Sequence, residues 1–297
     1  MRDLVVMYHY VTNSDWRGIV PFRPEEFEKQ LDWITENYEV VAPDGLQRPT
    51  AAKPRCVLTF DDGTKDQYEV AFQILKRRGL PAYFTVMSGP LLERIVPIFH
   101  LVHTVLSYFD DEKVWNEIRD IYDVGDIAEQ ADRTYHYEKD IHRRFNKYAL
   151  NFVLSEDQSR SYLEGKVLSR FRTFEQFVDS FYINEQEFIE MRQAGMTLGV
   201  HATHHRPYDG EVLQFIETEI LPCRRYMRER LAVNPEWYTP AFGGGLHAER
   251  MMRELEEVLP DYGFKGAFST NHGFNDGLNS FWLKRYDCIH LPPRKGV

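Results

Sequence analysis

The residues able to do chemistry lie in two short stretches, far apart in the chain. The first is Thr59-Phe60-Asp61-Asp62-Gly63. Adjacent carboxylates at the end of an apolar run repel each other and lose hydration, so something positive is expected beside them. A divalent cation fits that need: one carboxylate ligates it while the other acts as general base on the water it activates. Gly63 lets the chain turn sharply at this point. Taken in isolation, Asp-Asp-Gly also reads as a solvated strand-to-helix turn in which Asp caps a helix. The second stretch, residues 199–207, carries His201, His204 and His205, three of the chain's 11 histidines. Neutral imidazoles at i and i+4 in a turn after a strand can converge on one borderline metal. With Asp62 they form an Asp-His-His set that leaves a coordination position open for water, as in catalytic rather than structural sites. His204 then faces away or supports the ligands. The plainer alternative for each histidine is a hydrogen-bonded structural role.

Both stretches follow apolar runs that read as strands, and the elements around them set the fold. Continuous apolar, β-branched and aromatic runs at residues 4–9, 55–60, 82–87, 196–201, 236–241, 266–270 and 287–291, with a weaker one at 39–42, suit a parallel sheet buried on both faces. Amphipathic helices alternate with them. In Pro24–Asn37, Pro24 fits the first helical position and Phe27, Leu31 and Ile34 share one face. The next helix has Asp66 as its expected cap and stops at Gly79 and Pro81, and others are expected near 185–194 and 248–259. The βαβα rhythm implies an α/β barrel or a doubly wound sheet. Residues of about 90–182 interrupt it with expected helices at 99–106, 114–122 and 162–181. We read residues 1–297 as a single barrel domain carrying this helical insertion, because strands of the same rhythm resume beyond it.

Composition excludes some roles. The net charge of −10 argues against binding a phosphate backbone, and therefore against a nucleic-acid partner. No run approaches the roughly 18 apolar residues of a membrane span. Residues 4–7 are too short for a signal segment and read as a buried strand. Cys56, Cys223 and Cys288 are odd in number and widely spaced, which fits reduced thiols in a cytoplasmic protein. Gly243-Gly244-Gly245 lacks the Lys-Ser/Thr that would follow in a phosphate loop, so a loop of the active site is expected there. His9 ends the first strand at the same rim as the two motifs, where it can bind substrate or serve as a structural histidine.

These motifs and their order along the chain resemble the polysaccharide deacetylases of the NodB-homology type, the family-four carbohydrate esterases. The resemblance rests on Thr59-Phe60-Asp61-Asp62-Gly63 and His201-x-x-x-His205. It extends to Met7-Tyr8-His9 and Pro240-Ala241-Phe242-Gly243, and in outline covers residues 1–90 and 185–297. It implies a deformed (β/α)7-type barrel with its site at the C-terminal strand ends. It further implies that Asp61 is the general base, and that Asp62, His201 and His205 hold one divalent metal, Zn²⁺ foremost, with Co²⁺, Ni²⁺ or Fe²⁺ as substitutes. A backbone N–H near Phe242 would hold the oxyanion, and a late histidine, for which His290 is the candidate, would protonate the leaving amine. His9, Phe242 and Arg285 are the candidates on the substrate side. One departure stands out: the family's arginine two residues before the motif proline, which orients the base, is Tyr238 here. The partner of Asp61 must then come from elsewhere, and Arg285 is one candidate, with a surface charge as its alternative.

The implied function is hydrolytic removal of an N-acetyl group from a sugar or sugar-linked intermediate of cell-surface polysaccharide synthesis, in the cytoplasm. A carbohydrate is the implied partner, and the insertion is expected to border the cleft or to supply subunit contacts. Two other readings use the same residues: a non-haem iron enzyme with an Asp-His-His triad, and a non-catalytic sugar-binding barrel, for which the missing motif arginine speaks.

Overall fold

A computed structural model describes residues 2–47, 53–276 and 280–294. Among the described residues, nine strands form one parallel sheet: β1 (Leu4–Tyr8), β2 (Glu39–Val40), β3 (Arg55–Phe60), β4 (Tyr83–Met87), β5 (Thr197–Ala202), β6 (Trp237–Tyr238), β7 (Gly266–Phe268), β8 (Trp282–Leu283) and β9 (Tyr286–Asp287). The hydrogen-bonded order is β8-β7-β6-β5-β4-β3-β1-β9, with β2 on β3. β1 pairs with β3 from Leu4↔Cys56 to Tyr8↔Phe60, while β2 and β4 take successive stretches of the other edge of β3.

The connection between β8 and β9 decides the architecture. These strands stand at opposite ends of the order, yet only Lys284 and Arg285 separate them in sequence. Three Cα steps span at most about 11 Å. The sheet must therefore curl until its two ends almost meet, giving a deformed (β/α) barrel. Its two faces carry two cores, as the two-residue side-chain period requires. Inside lie Val5, Val57, Tyr83, Trp237, Phe268 and Leu283. Outside, Val6, Leu58, Phe60, Phe84 and Val200 pack under the helices with Phe27, Leu31, Met191 and Leu255.

The strands at 55–60 and 82–87 form close to where their apolar runs lie. The stretch at 236–241 is strand for two residues only, because Pro240 lacks an N–H for the ladder and the chain passes into the 3₁₀ turn Ala241–His247. Of residues 287–291, expected as strand, only Asp287 is in one; a 3₁₀ turn over Cys288–His290 follows, with Asp287 Oδ1 accepting the Ile289 N–H at 3.0 Å. The real closing strands, β8 and β9, are too short to register as apolar runs. Asp66 does not cap the following helix. Its carboxylate accepts the Val11 N–H at 2.6 Å and ties the end of β1 to that of β3.

By compactness the chain divides into two units. One comprises residues 1–13, 21–95 and 181–297, and holds the sheet. The other comprises 96–180 together with 14–20. The second unit is helical, built on Ile98–Tyr108, Asp111–Ile121, Ile141–Tyr148 and Glu156–Arg170. The expected helix at 162–181 is two helices, Glu156–Arg170 and Phe174–Phe181, the first started by a Ser155/Gln158 capping box. Within this unit Arg143 and Asp111 form a buried ion pair at 2.7 Å, and Ser107 Oγ accepts the Gly18 N–H at 3.1 Å, which fastens the segment 14–20 to the helices. Nothing in the composition of 14–20 marks it as part of the insertion. No helix among the described residues is long and apolar enough to cross a membrane.

Inside the barrel, Tyr83 fills the space left by Gly199 on the neighbouring strand, and its hydroxyl lies 3.1 Å from Thr239 Oγ1. A methyl group at position 199 would meet the Tyr83 hydroxyl at 2.1 Å. Gly199→Ala is accordingly expected to cost about 1–3 kcal/mol of stability, the usual range for overpacking. Urea denaturation measures this, and an unchanged midpoint would show that Tyr83 can move aside.

Candidate metal centre

The C-terminal ends of β3 and β5 bring the two motifs together. Asp61 continues the inward-facing row of Val57 and Thr59, and Asp62 opens the turn that follows. His201 lies near the end of β5, and His205 sits in the loop beyond it. Asp62, His201 and His205 are all buried, and each offers one ligand atom within 4.8 Å of the others. Asp62 Oδ1 is 3.1 Å from His201 Nε2 and 3.4 Å from His205 Nε2. Asp62, His205 and Phe242 have φ of 74°, 61° and 51°, three of the five non-glycine residues with positive φ among those described. Such conformations cost roughly 1–3 kcal/mol each and persist where the surroundings over-determine them.

The chemistry of this donor set fits a cation. His201 Nδ1 lies 2.8 Å from the carbonyl oxygen of Thr239 and must carry the proton that is donated there. In the neutral imidazole, Nε2 then presents a lone pair to a carboxylate oxygen at 3.1 Å, an arrangement that needs positive charge between the two or a proton on the ring. Burial opposes charge on His201. Hydrogen bonding to Asp62 and the negative charges of Asp62 and Asp61 outweigh it, so its proton affinity is raised. The same field would hold a divalent ion.

Asp61 has a different environment. Burial raises its pKa, but the charge and hydrogen bond of Arg285, with smaller contributions from His9 and His201, bring it below the ordinary value. Arg285 is only 1 % exposed. Its Nη1 lies 2.8 Å from Asp61 Oδ1 and 3.2 Å from Thr59 Oγ1, and its Nε donates to the Ser269 carbonyl at 2.9 Å. The cation beside Asp61 thus comes from the two-residue β8–β9 connection. Tyr238, at the motif arginine's place, packs edge-on to Phe264 and Trp282.

Of the remaining candidates, Phe242 and His9 stand beside this centre. The Phe242 ring stands edge-on to His205 at 4.4 Å and is 53 % exposed. His9 is exposed within electrostatic reach of Asp61. His290 is exposed on its 3₁₀ turn, with its ring 4.8 Å from that of His272. His204 turns away from the centre, its Nε2 3.1 Å from Glu93 Oε2. Sequence reasoning missed two supports. Thr239 sets the His201 tautomer through its backbone, which no side-chain pattern reveals. Gln67, fully buried, donates to the carbonyls of His9 (2.9 Å) and Asp61 and so joins the two strand ends. A glutamine among apolar helix positions is the signal that was there to read.

A family model for polysaccharide deacetylases matches residues 48–265, most of the chain and both motifs. The chain belongs to the polysaccharide deacetylase family. Among curated proteins it is similar to YxkH of Bacillus subtilis, 33 % identical over 84 residues; the match spans 26 % of this chain and 29 % of that protein. Among solved structures it is similar to IcaB from Ammonifex degensii, with 16 % identity, TM-score 0.58, and 96 % and 91 % of the two chains covered. It is also similar to the Streptococcus pyogenes deacetylase PplD in complex with acetate, with 17 % identity, TM-score 0.59 and coverage of 99 % and 94 %. These likenesses bear on the fold, and the family's barrel is the one found here.

Removing Arg285 leaves Asp61 as a buried carboxylate with no guanidinium. Arg285→Met is expected to lose about 3–5 kcal/mol near pH 7. The sign follows from the lowered Asp61 pKa: the pair stabilises the fold above the ordinary carboxylate range, and its contribution is lost as pH falls through the folded pKa, below 3.8. The deficit of Arg285→Met should therefore shrink as pH falls and the unpaired Asp61 takes up a proton. Urea titrations from about pH 7 to about pH 3 test this; a deficit independent of pH would remove the ion pair as its cause.

Proposed function

We propose that this protein is a metal-dependent hydrolase that removes an N-acetyl group from a sugar or sugar-linked intermediate, in cell-surface polysaccharide synthesis. The observation that carries the reading is the pair of unlike carboxylates at the end of β3. Asp62 faces two imidazole nitrogens, while Asp61 next to it is held ionised by Arg285. Their environments divide the labour between ligand and base. Membership of the polysaccharide deacetylase family supports the substrate class.

Asp62 Oδ1, His201 Nε2 and His205 Nε2 would hold the ion. Zn²⁺, or a similar divalent ion, would polarise the acetyl carbonyl and lower the pKa of the attacking water. Asp61 takes the proton of that water. Its depressed pKa keeps it ionised and ready near neutral pH, and Arg285 keeps its carboxylate in place. The backbone around Phe242 is assigned to the carbonyl oxygen as it gains charge, with the exposed ring available to a sugar face. As the C–N bond breaks, the leaving amine needs a proton, and His290 is the assigned donor. Arg285 also weakens the non-catalytic reading, because the missing motif arginine was its ground. The three cysteines, all unpaired and buried, support a reducing compartment, the cytoplasm.

Protein supplied with Zn²⁺ or Co²⁺ should release acetate from an N-acetylated sugar. Asp62→Ala and His201→Ala should lose both metal and activity. Asp61→Asn should retain the metal and lose about 10²–10⁴-fold in kcat. Metal analysis beside an acetate assay reads all three. Activity persisting in Asp62→Ala would sink the proposal, and bound iron with oxygen-dependent turnover would replace it with the iron reading.

A further inference from the structure

The loop that carries His205 is held by a buried carboxylate that neither motif contains. Residues 212–230 form one helical run whose middle, Ile216–Ile220, widens into a π turn. Pro222 accounts for the widening: it has no N–H for the carbonyl four residues back and crowds it. The Leu221 N–H reaches Ile216 O, five residues back. In this turn Glu219 is 1 % exposed. Its Oε2 accepts the backbone N–H of His204 at 2.9 Å and that of Arg206 at 3.4 Å. Its Oε1 lies 3.4 Å from His204 Nδ1, and its main-chain oxygen accepts the Thr203 hydroxyl at 3.0 Å. All four contacts fall on residues 203, 204 and 206, and none on His205.

That pattern has a physical reading. A left-handed residue between two others can turn the N–H groups on either side toward one point, which makes a concave anion site. His205, at φ 61°, is that residue, and Glu219 fills the concavity. No lysine or arginine side chain pairs with Glu219 among the described residues. An uncompensated buried carboxylate would be costly, so these backbone donors and the His204 ring are what make its burial tolerable. The Gly89 N–H also donates to Thr203 O at 2.8 Å, and a methyl group on Gly89 would meet that oxygen at 2.4 Å. The loop is thus held at residues before and after His205 in the chain.

We infer that Glu219 is a positioning residue for the metal centre: it holds the 203–206 loop in the strained turn that aims His205 Nε2 at Asp62. The inference rests on the proposed metal site. It adds that the affinity of that site depends on an acceptor held in the outer helical layer.

Zn²⁺ binding measured calorimetrically on wild type, Asp62→Ala, Glu219→Ala, Glu219→Gln and Glu219→Asp tests it, with circular dichroism confirming that each is folded. Glu219→Ala should lower affinity about 10–100-fold, as loss of ligand-orienting partners does. Glu219→Gln keeps a carbonyl oxygen for both N–H groups and should stay within about threefold of wild type, well short of the loss from removing the acceptor. Glu219→Asp keeps the charge but withdraws the oxygens, and should fall with the alanine variant; it decides the matter if alanine does not fold. Wild-type affinity in folded Glu219→Ala or Glu219→Asp overturns the inference while leaving the metal site intact. A wild-type protein that binds no Zn²⁺, or an Asp62→Ala variant that binds it equally well, overturns the metal site itself.

Discussion

Two adjacent carboxylates buried at the end of one parallel strand are the constraint on which the rest of this structure depends. Asp61 and Asp62 have lost hydration and repel each other, so each needs positive charge beside it, from a side chain or from a cation that side chains would hold. Different elements answer the two. Arg285 reaches Asp61 from the β8–β9 connection, while His201 and His205 face Asp62 from β5 and the loop beyond it. The alternation of a strand explains the division. Asp61 continues the inward row and meets the guanidinium inside the barrel. Asp62, one residue on and in a left-handed turn, meets His201 and His205 instead.

The closure of the sheet follows from the same requirement. An arginine from the final connection reaches a carboxylate on β3 because the ends of the strand order are forced together by a two-residue link. A flat doubly wound sheet with this order would leave those ends far apart. Burying Arg285 would then carry the full desolvation cost with no partner.

The strained positions gather where these demands meet. Asp62, His205 and Phe242 adopt left-handed backbone conformations that their side chains disfavour, and contacts from neighbouring residues steady the segments that carry them. Gln67 ties the carbonyls of His9 and Asp61, Glu219 and Gly89 grip the His205 loop, and the Phe242 ring stacks edge-on to His205. Preorganisation of this kind would let the proposed site take up a cation with little rearrangement.

The Thr59–Gly63 motif and the His201/His205 spacing are local, because ligand chemistry needs particular residue types at short range. They were legible without a structure, as were the buried parallel strands at 55–60 and 82–87, whose apolar runs follow from burial on both faces. The closing strands, by contrast, are two residues long and carry no periodic signal, so their place and the end of the barrel came from tertiary pairing alone. The cation beside Asp61 was an open choice in the sequence, since a charge 224 positions away has no local signature. The tautomer of His201 depends on a backbone carbonyl, and the grip on His205 on a π turn brought against it from another layer. Residue types and short spacings specify which atoms can act. Protonation, charge and aim come from contacts between distant segments, which exist only once the sheet has curled.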